Sequence, residues 1–193
     1  MGYRFETLTS ERWDDFERLF GPKGACGGCW CMYWRLARKD FDRGKGDGNR
    51  LAMRAIVESG DSPGVLAYQG EQAVGWCAVG PRERYTRLAH SRTLKPLDDR
   101  PAWSVVCFYI RKDHRRKGLS ARLLRAAAEF AASCGADLVE GYPHVPQKEA
   151  MPDVFAWNGL VGAFERAGFV ECARPSERRR IVRLAVRERG RVE

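Results

Sequence analysis

A short basic loop with one glycine, Arg115 to Ser120, is the part of this chain whose residue types and spacing most clearly suggest chemistry. It follows the apolar run 105–110 and precedes apolar residues spaced three and four apart from Leu119 to Cys134, which predicts a strand, a loop and a helix. The first turn of a helix presents free N–H groups and the positive end of its dipole, so this junction attracts anions. Gly118 has no Cβ and lets the backbone approach a ligand closely. The arrangement predicts a site for a phosphorylated ligand.

Three residues able to move a proton lie near the end of a strand predicted over 136–142, namely Glu140, Tyr142 and His144. Ligands collect at the carboxyl ends of strands, which favours Tyr142 as a catalytic residue. Glu140 is the second predicted catalytic residue, with a solvated strand-end carboxylate as the alternative interpretation. His144 titrates near neutrality, so an ordinary loop histidine explains it as readily as a role in proton transfer.

Cys26, Cys29 and Cys31 are spaced as in some zinc sites, but no Cys or His follows within forty residues to complete a ligand set. We therefore predict no metal. The seven cysteines, an odd number scattered along the chain, suit reduced thiols better than a set of disulfides. Cys107 has no basic neighbour in sequence that would activate it, so it is not expected to be a nucleophile.

The composition bounds the class of protein. The 193 residues fit one domain spanning 1–193, and 44% hydrophobic residues with 11% aromatic ones exclude a disordered chain. No apolar run is long enough to span a bilayer, and the first residues lack a signal-peptide apolar region, so a cytoplasmic location is expected. The net charge of +9 is spread along the chain, with concentrations at 111–117 and 178–183. Nucleic-acid binding is therefore not favoured over a small anionic ligand.

Periodicity and turn residues predict a mixed α/β sheet with helices on its faces. The expected strands cover 3–8, 64–68, 73–79, 105–110, 136–142, 169–173 and 181–186, and the expected helices cover 10–20, 50–59, 119–134 and 154–167. The polar stretches 39–49 and 81–101 are expected to be irregular. The arginine-rich run 178–183 is expected to form a solvated edge strand.

This order of elements, together with the loop, resembles the GNAT superfamily of acyl-CoA-dependent N-acetyltransferases. Ile110 followed five residues later by Arg115 matches the family's Arg/Gln-x-x-Gly-x-Gly/Ala loop at its usual distance from the fourth strand, and Gly168-Phe169 closes the next helix as in the family. Ser120 stands where the family usually has Gly or Ala. The resemblance covers nearly the whole chain. It implies a GNAT-type fold with a mostly antiparallel central sheet and a splayed fourth strand, and acetyl-CoA as the cofactor.

The resemblance also implies which residues hold coenzyme A. Loop amides would wrap the pyrophosphate, and backbone groups of the fourth strand would bind the pantetheine arm and polarise the thioester carbonyl. Asn158 lies one residue from the position of a family asparagine that contacts the pantetheine, and Phe164 stands where many members have a tyrosine that protonates the departing thiolate. The implied cofactor-binding residues are Phe108, Tyr109, Ile110, Arg115, Arg116, Lys117, Gly118, Leu119, Ser120, Asn158 and Phe164.

An acceptor site between the first two helices is implied as well. An aromatic wall with one cation would suit an aromatic or carboxylate-bearing substrate there, and a plain core role is the alternative. The residues of this wall are Trp30, Tyr33, Trp34 and Arg35. The expected activity is acetyl transfer to a primary amine of a small molecule, by direct attack in a ternary complex.

The identity of the acceptor and the oligomeric state are left open by the sequence, although a homodimer is possible. A polycationic acceptor would require acidic residues to gather in the pocket, and those available are Asp98, Asp99, Glu140 and Glu149. Because phenylalanine at position 164 cannot donate a proton, the alternative function is a catalytically impaired acyl-CoA-binding module.

Overall fold

The computed structural model describes residues 2–146 and 157–186. The strands are β1 Arg4–Thr7, β2 Gly64–Gln69, β3 Gln72–Pro81, β4 Trp103–Ile110, β5 Leu138–Gly141, β6 Val170–Ser176 and β7 Arg179–Ala185. They form one seven-stranded sheet in the order β1-β2-β3-β4-β5-β7-β6. The helices are α1 Trp13–Phe20, α2 Arg38–Arg43, α3 Asp47–Glu58, α4 Thr86–Ala89, α5 Leu119–Ser133 and α6 Val161–Ala167. Among these residues no helix is long and apolar enough to cross a membrane.

Neighbouring strands are antiparallel except for β4 and β5, which run parallel. The antiparallel meander β1-β2-β3-β4 is thus joined to β5-β7-β6 through a single parallel pair, and the connection between β4 and β5 contains α5. The strands predicted over 64–68 and 73–79 form an antiparallel hairpin, with Gly70 in its turn at φ +58°. The predicted mixed and mostly antiparallel α/β sheet is confirmed.

A bulge in the middle of β4 shapes the site. The register between β3 and β4 skips Val106, so that residue is an extra one in β4. β4 pairs with β5 only over 103–105, and beyond that point the two strands separate. This separation confirms the predicted splay of the fourth strand. No described strand pairs with the β5-facing edge of residues 106–110.

Each face of the sheet carries its own apolar core. On one face α5 packs against the sheet through the apolar side that its three- and four-residue spacing predicts. Leu123, Ala127 and Ala131 on this side are fully buried. On the other face α1 and the segment 29–36 surround the buried ring of Trp76. The segment 29–36 is therefore held by packing, although it forms no helix or strand.

The prediction that residues 178–183 form a solvated edge strand is wrong. They lie largely in β7, which pairs with β5 on one side and β6 on the other, so the edge of the sheet is β6. Arg183 is only 7% exposed. Its charge is tolerated inside because two carboxylates pair with it, as described below.

Two stretches expected to be irregular contain helices. α2 and the start of α3 fall within or beside 39–49, and α4 falls within 81–101. α2 buries only Phe41, and an Asp40–Arg43 ion pair spans one of its turns. With a single buried residue, its sequence shows no apolar periodicity from which a helix could be predicted. The helix predicted over 154–167 begins at Val161 in the described part, and residues 154–156 lie outside the described residues, as does Glu149.

Candidate active site

The basic loop that precedes α5 has a backbone suited to an anion. Arg116 has φ +59° and Gly118 has φ +76°, and alternation into left-handed conformations turns successive N–H groups to one side. No side chain caps the start of α5. A Cβ built at Gly118 meets no atom within 4 Å, so glycine is needed for the positive φ and the space above it is open. The strain at Arg116 is typical of a loop shaped for binding.

The side chain of Arg115 fastens this loop to the end of β4. Its Nε donates to the carbonyl oxygen of Ile110 at 2.8 Å. The single helical turn between them is fixed on its other side by buried His114, whose Nδ1 lies 3.1 Å from the hydroxyl of Tyr3. These contacts hold the basic loop 115–120 in a fixed position relative to the open edge of β4.

The backbone groups of Phe108 and Ile110 face the open edge of β4. The Phe108 N–H donates to the carbonyl of Trp157 at 2.6 Å, and Asn158 Nδ2 donates to the carbonyl of Val106 at 2.8 Å. Strand alternation points the Tyr109 backbone groups the other way, toward β3. The structure thus turns two of the three predicted pantetheine-binding residues toward the opening and brings Asn158 beside it.

Phe164 lies beneath the point where β4 and β5 separate. Its ring is fully buried and meets the rings of Phe108 and Phe169 edge-on, at 6.0 and 5.1 Å between centroids. A Cβ at Gly141 would overlap this ring. Phe164 therefore packs beneath β4 and supports it through Phe108.

The two predicted catalytic residues lie in an enclosed polar network. Glu140 is 1% exposed and Tyr142 is 0% exposed. Arg82 and Arg183 each donate to a different Glu140 oxygen, at 3.0 and 2.8 Å. The Tyr142 hydroxyl donates to Glu140 at 2.6 Å and lies 2.9 Å from Ser104 Oγ. Burial, and then the charge of Glu140, raise the pKa of Tyr142 well above its usual range. Their catalytic role stays a prediction, and neither side chain is open to a ligand in this structure.

The same network ties the long connection 82–102 to the sheet. Arg183 also pairs with Asp98 at 2.7 Å, and the hydrogen bonds from Arg183 and Arg100 hold the pKa of Asp98 well below its usual range. Arg82 also hydrogen-bonds to the carbonyl of Leu94. Sequence reasoning missed Arg82, because nothing distinguishes it from the many other arginines of the chain.

His144 lies beside the open edge of β4. Its backbone N–H donates to the carbonyl of Gly159 at 2.9 Å, and its backbone carbonyl accepts from the N–H of Val161 at 3.1 Å. Its backbone also forms isolated β-bridges with residues 160 and 179. Burial and the charge of Arg179 lower the pKa of His144, and the Asn158 side chain offsets part of this change. Because the usual pKa is about 6.5, the imidazole is unprotonated at neutral pH. An imidazole in that state can accept a proton.

The four residues of the predicted acceptor wall divide into two pairs. Trp30 is 4% exposed and stacks on Phe20 in the core, and Arg35 is turned toward the Tyr85 ring, 4.8 Å from its centroid. Tyr33 and Trp34 instead pack with Trp157, at 5.0 and 5.9 Å between centroids. Only this second pair is connected to the open edge of β4.

Trp157 lies at the open edge of β4 and is a candidate site residue that the sequence reasoning missed. It precedes Asn158, which was identified, but a helix predicted over 154–167 concealed its position at the edge of β4.

All seven cysteines are free thiols. Cys31 is buried in the left-handed conformation and accepts a hydrogen bond from Trp76 Nε1 at 3.3 Å. The Cys107 thiol, the Trp76 N–H and the charge of Arg35 lower the pKa of Cys31, whereas burial raises the pKa of Cys29 to about 11. Within residues 2–146 and 157–186 no group of His, Cys, Asp and Glu side chains is placed to hold a metal ion.

The mostly antiparallel sheet opens beside its fourth strand, and a basic loop with left-handed residues begins the following helix, as the sequence resemblance implies for the GNAT fold. The model of the acetyltransferase (GNAT) family matches residues 30–152, more than half of the chain. The protein belongs to this family.

Solved structures share this fold. Arylalkylamine N-acetyltransferase 2 of Aedes aegypti is 14% identical with a TM-score of 0.58, over 97% of this chain and 100% of that chain. The PaiA N-acetyltransferase of Thermoplasma acidophilum, in complex with coenzyme A, is 12% identical with a TM-score of 0.51, over 96% and 99%. YncA of Salmonella typhimurium, with acetyl-CoA, is 12% identical with a TM-score of 0.52, over 98% and 97%. No match was found among curated protein sequences.

Proposed function

We propose that the protein transfers an acetyl group from acetyl-CoA to a primary amine within a ternary complex. The observation that carries this proposal is the left-handed basic loop at the start of α5, placed directly beside the open edge of β4. Membership of the acetyltransferase family and the coenzyme bound in the Thermoplasma and Salmonella structures support it.

The residues present fit coenzyme A. Backbone N–H groups of 116–120 would hold the pyrophosphate, with the charges of Arg115, Arg116 and Lys117 around it. Backbone groups of Phe108 and Ile110 would bind the pantetheine arm, with the Phe108 N–H released from Trp157 to polarise the thioester carbonyl. Acetyl-CoA supplies the acetyl group as an activated thioester.

His144 is the residue we assign to proton removal. An attacking amine must lose a proton, and the half-buried, unprotonated imidazole lies among Asn158 and residues 159–161 beside the opening. Glu140 and Tyr142 are enclosed between arginines, so we assign them to holding β4, β5 and β7 together. Phe164 has no proton to give, but a thiol with a pKa near 8.5 can leave as its anion without an acid.

The experiment compares two glycines at opposite ends of α5. Gly118 and Gly135 both have positive φ, +76° and +90°, and a Cβ at either meets nothing within 4 Å. We expect Gly118→Glu to weaken coenzyme A binding at least 100-fold by calorimetry, since its carboxylate would face the phosphates. Gly135→Glu carries the same change away from the loop and should bind normally. Equal affinity of the two variants would show that the cofactor is held elsewhere.

Turnover separates the enzyme from the alternative, an acyl-CoA-binding module without catalysis. Free thiol released from acetyl-CoA is measured across a panel of amines with the wild-type protein and the Gly118→Glu variant. Release that depends on both the amine and Gly118 supports the transferase. Tight acetyl-CoA binding with no release on any amine would favour the module.

A further inference from the structure

We infer that the acceptor amine also carries a carboxylate, and that Arg179 binds this carboxylate. The inference rests on the proposed function and adds the chemical class of its second substrate. Arg179 begins β7, and its Nη1 donates to the carbonyl of Tyr142 at 2.9 Å. Its backbone bridges to His144, the residue assigned to proton removal.

The charge of Arg179 has no counter-charge within the described residues, and two other arginines of β7 show the contrast. Arg183 pairs with Glu140 and Asp98 at 2.8 and 2.7 Å, and Arg180 pairs with Glu171 at 3.1 Å. No described carboxylate lies within 4 Å of Arg179, although the side chain is partly buried and burial lowers its pKa. A desolvated guanidinium whose charge meets no carboxylate among the described residues is costly, and a planar carboxylate is the anion that fits its fork of N–H donors.

A series of neighbouring residues connects Arg179 with the open edge of β4, where the thioester is expected. Burial lowers the pKa of Arg179 and Tyr33 raises it, so Tyr33 is a neighbour of Arg179; the Tyr33 ring in turn meets the Trp157 ring at 5.0 Å between centroids. The Trp157 carbonyl accepts from Phe108, and the next residue, Asn158, donates to Val106. A small molecule whose carboxylate is bound at Arg179 and whose side chain packs on Tyr33 and Trp157 can therefore present its amine to the edge of β4 and to His144.

The charges around this surface also disfavour other amines. Arg87 lies over the Tyr33 ring, with its guanidinium carbon 4.1 Å from the ring centroid, so a second cation adjoins the same aromatic side chain. A polyamine would bring extra positive charge toward Arg87 and Arg179. An amine without an acid group would supply no counter-charge for Arg179, which has none among the described residues. An amino acid with an apolar or aromatic side chain satisfies both the arginine and the aromatic rings.

The test uses matched pairs that differ only in the carboxylate: alanine and ethylamine, leucine and isoamylamine, phenylalanine and 2-phenylethylamine. Rates of acetyl-CoA thiol release give kcat/KM for each, and calorimetry on the protein with coenzyme A gives affinity without turnover. We expect the amino acid of at least one pair to exceed its amine by about tenfold or more. Arg179→Met should remove that advantage, chiefly by raising the KM of the amino acid, and should leave kcat/KM of the plain amine within about threefold of wild type.

Two controls keep the result interpretable. Arg178→Met removes a positive charge from the adjacent exposed position and should leave kcat/KM unchanged for both the amino acid and the plain amine. Arg179→Lys keeps the charge and should restore part of the preference, while an unchanged melting temperature shows that each variant is folded. The inference is overturned if no amino acid exceeds its amine, if Arg179→Met lowers both members of a pair equally, or if no member of any pair is bound or acetylated. In the last case, coenzyme A binding that still depends on Gly118 would leave the cofactor half of the proposed function standing.

Discussion

Replacement of Glu140 by glutamine separates a structural role of this carboxylate from a catalytic one. Glu140 is enclosed between Arg82 and Arg183, whose side chains are 14% and 7% exposed, and it also accepts from the Tyr142 hydroxyl. The amide keeps the size of the side chain. It removes the negative charge, however, and brings N–H donors toward groups that themselves donate.

The expected cost follows from the partners left behind. Removal of one member of a buried ion pair costs about 3–5 kcal/mol, because the remaining charge is left in the interior. Arg183 keeps Asp98 at 2.7 Å, so the lower end, about 3 kcal/mol, applies. For a domain of this size 1 kcal/mol shifts the melting temperature by about 2–4 °C, which gives a decrease of about 6–12 °C.

The assay combines thermal unfolding of the unliganded protein with acetyl-transfer rates measured well below the melting temperature. Glu171→Gln is the matched control, since Glu171 pairs with Arg174 and Arg180 at the exposed edge of the sheet and should leave the melting temperature unchanged. With Glu140→Gln we expect a lower melting temperature and a kcat within about threefold of wild type, because our proposal places the reacting groups elsewhere. A melting temperature equal to wild type with a kcat reduced 100-fold would refute this reasoning and assign Glu140 to proton removal.

Three further predictions concern His144 and the packing beneath β4. His144→Gln should lower kcat by about 100-fold and leave coenzyme A affinity unchanged; an unaltered kcat would remove His144 from the mechanism. Burial and the charge of Arg179 lower the pKa of His144, so wild-type activity should be retained as pH falls to about 6.5 and be lost below that pH. Arg179→Met removes one of these causes, and the loss of activity should then begin at a higher pH in a pH–rate profile. Gly141→Ala should lower the free energy of unfolding by about 1–3 kcal/mol in denaturant unfolding, because its Cβ would overlap the Phe164 ring. The control Gly162→Ala in α6 meets only the flexible end of Arg166 and should be neutral or stabilising.

The strand, loop and helix of the candidate cofactor site could be predicted from sequence because they are local. A strand, a glycine loop and an amphipathic helix follow one another within about thirty residues, and each is set by interactions between near neighbours in the chain. Gly118 and Gly135 both have the positive φ that their places at the ends of α5 require. Even the splay of β4 followed from the family pattern, although the bulge at Val106 that accompanies it has no signature in the sequence.

The acceptor half could not be read in the same way. The segment 29–36 has neither a helical nor a strand period, and Trp30 and Cys31 are left-handed, so the sequence does not show which side chains point inward. The structure sends Trp30 into the core and Tyr33 to Trp157. The arginines of 178–183 were assigned to solvent because arginine is seldom buried, and the carboxylates that permit Arg183 to be buried lie about forty and eighty residues away in the chain.

The sequence by itself determined the order of the elements and the loop at Arg115 to Ser120, because backbone propensity, helix termini and glycine conformation act between near neighbours. Only the tertiary structure decided which charges are paired. Ion pairs in the interior depend on strands brought together across the sheet, so that of three arginines in β7 two meet carboxylates and Arg179 meets His144 beside the open edge of β4. That difference in partners, and not residue type, is what distinguishes a structural arginine from the one inferred to bind the substrate.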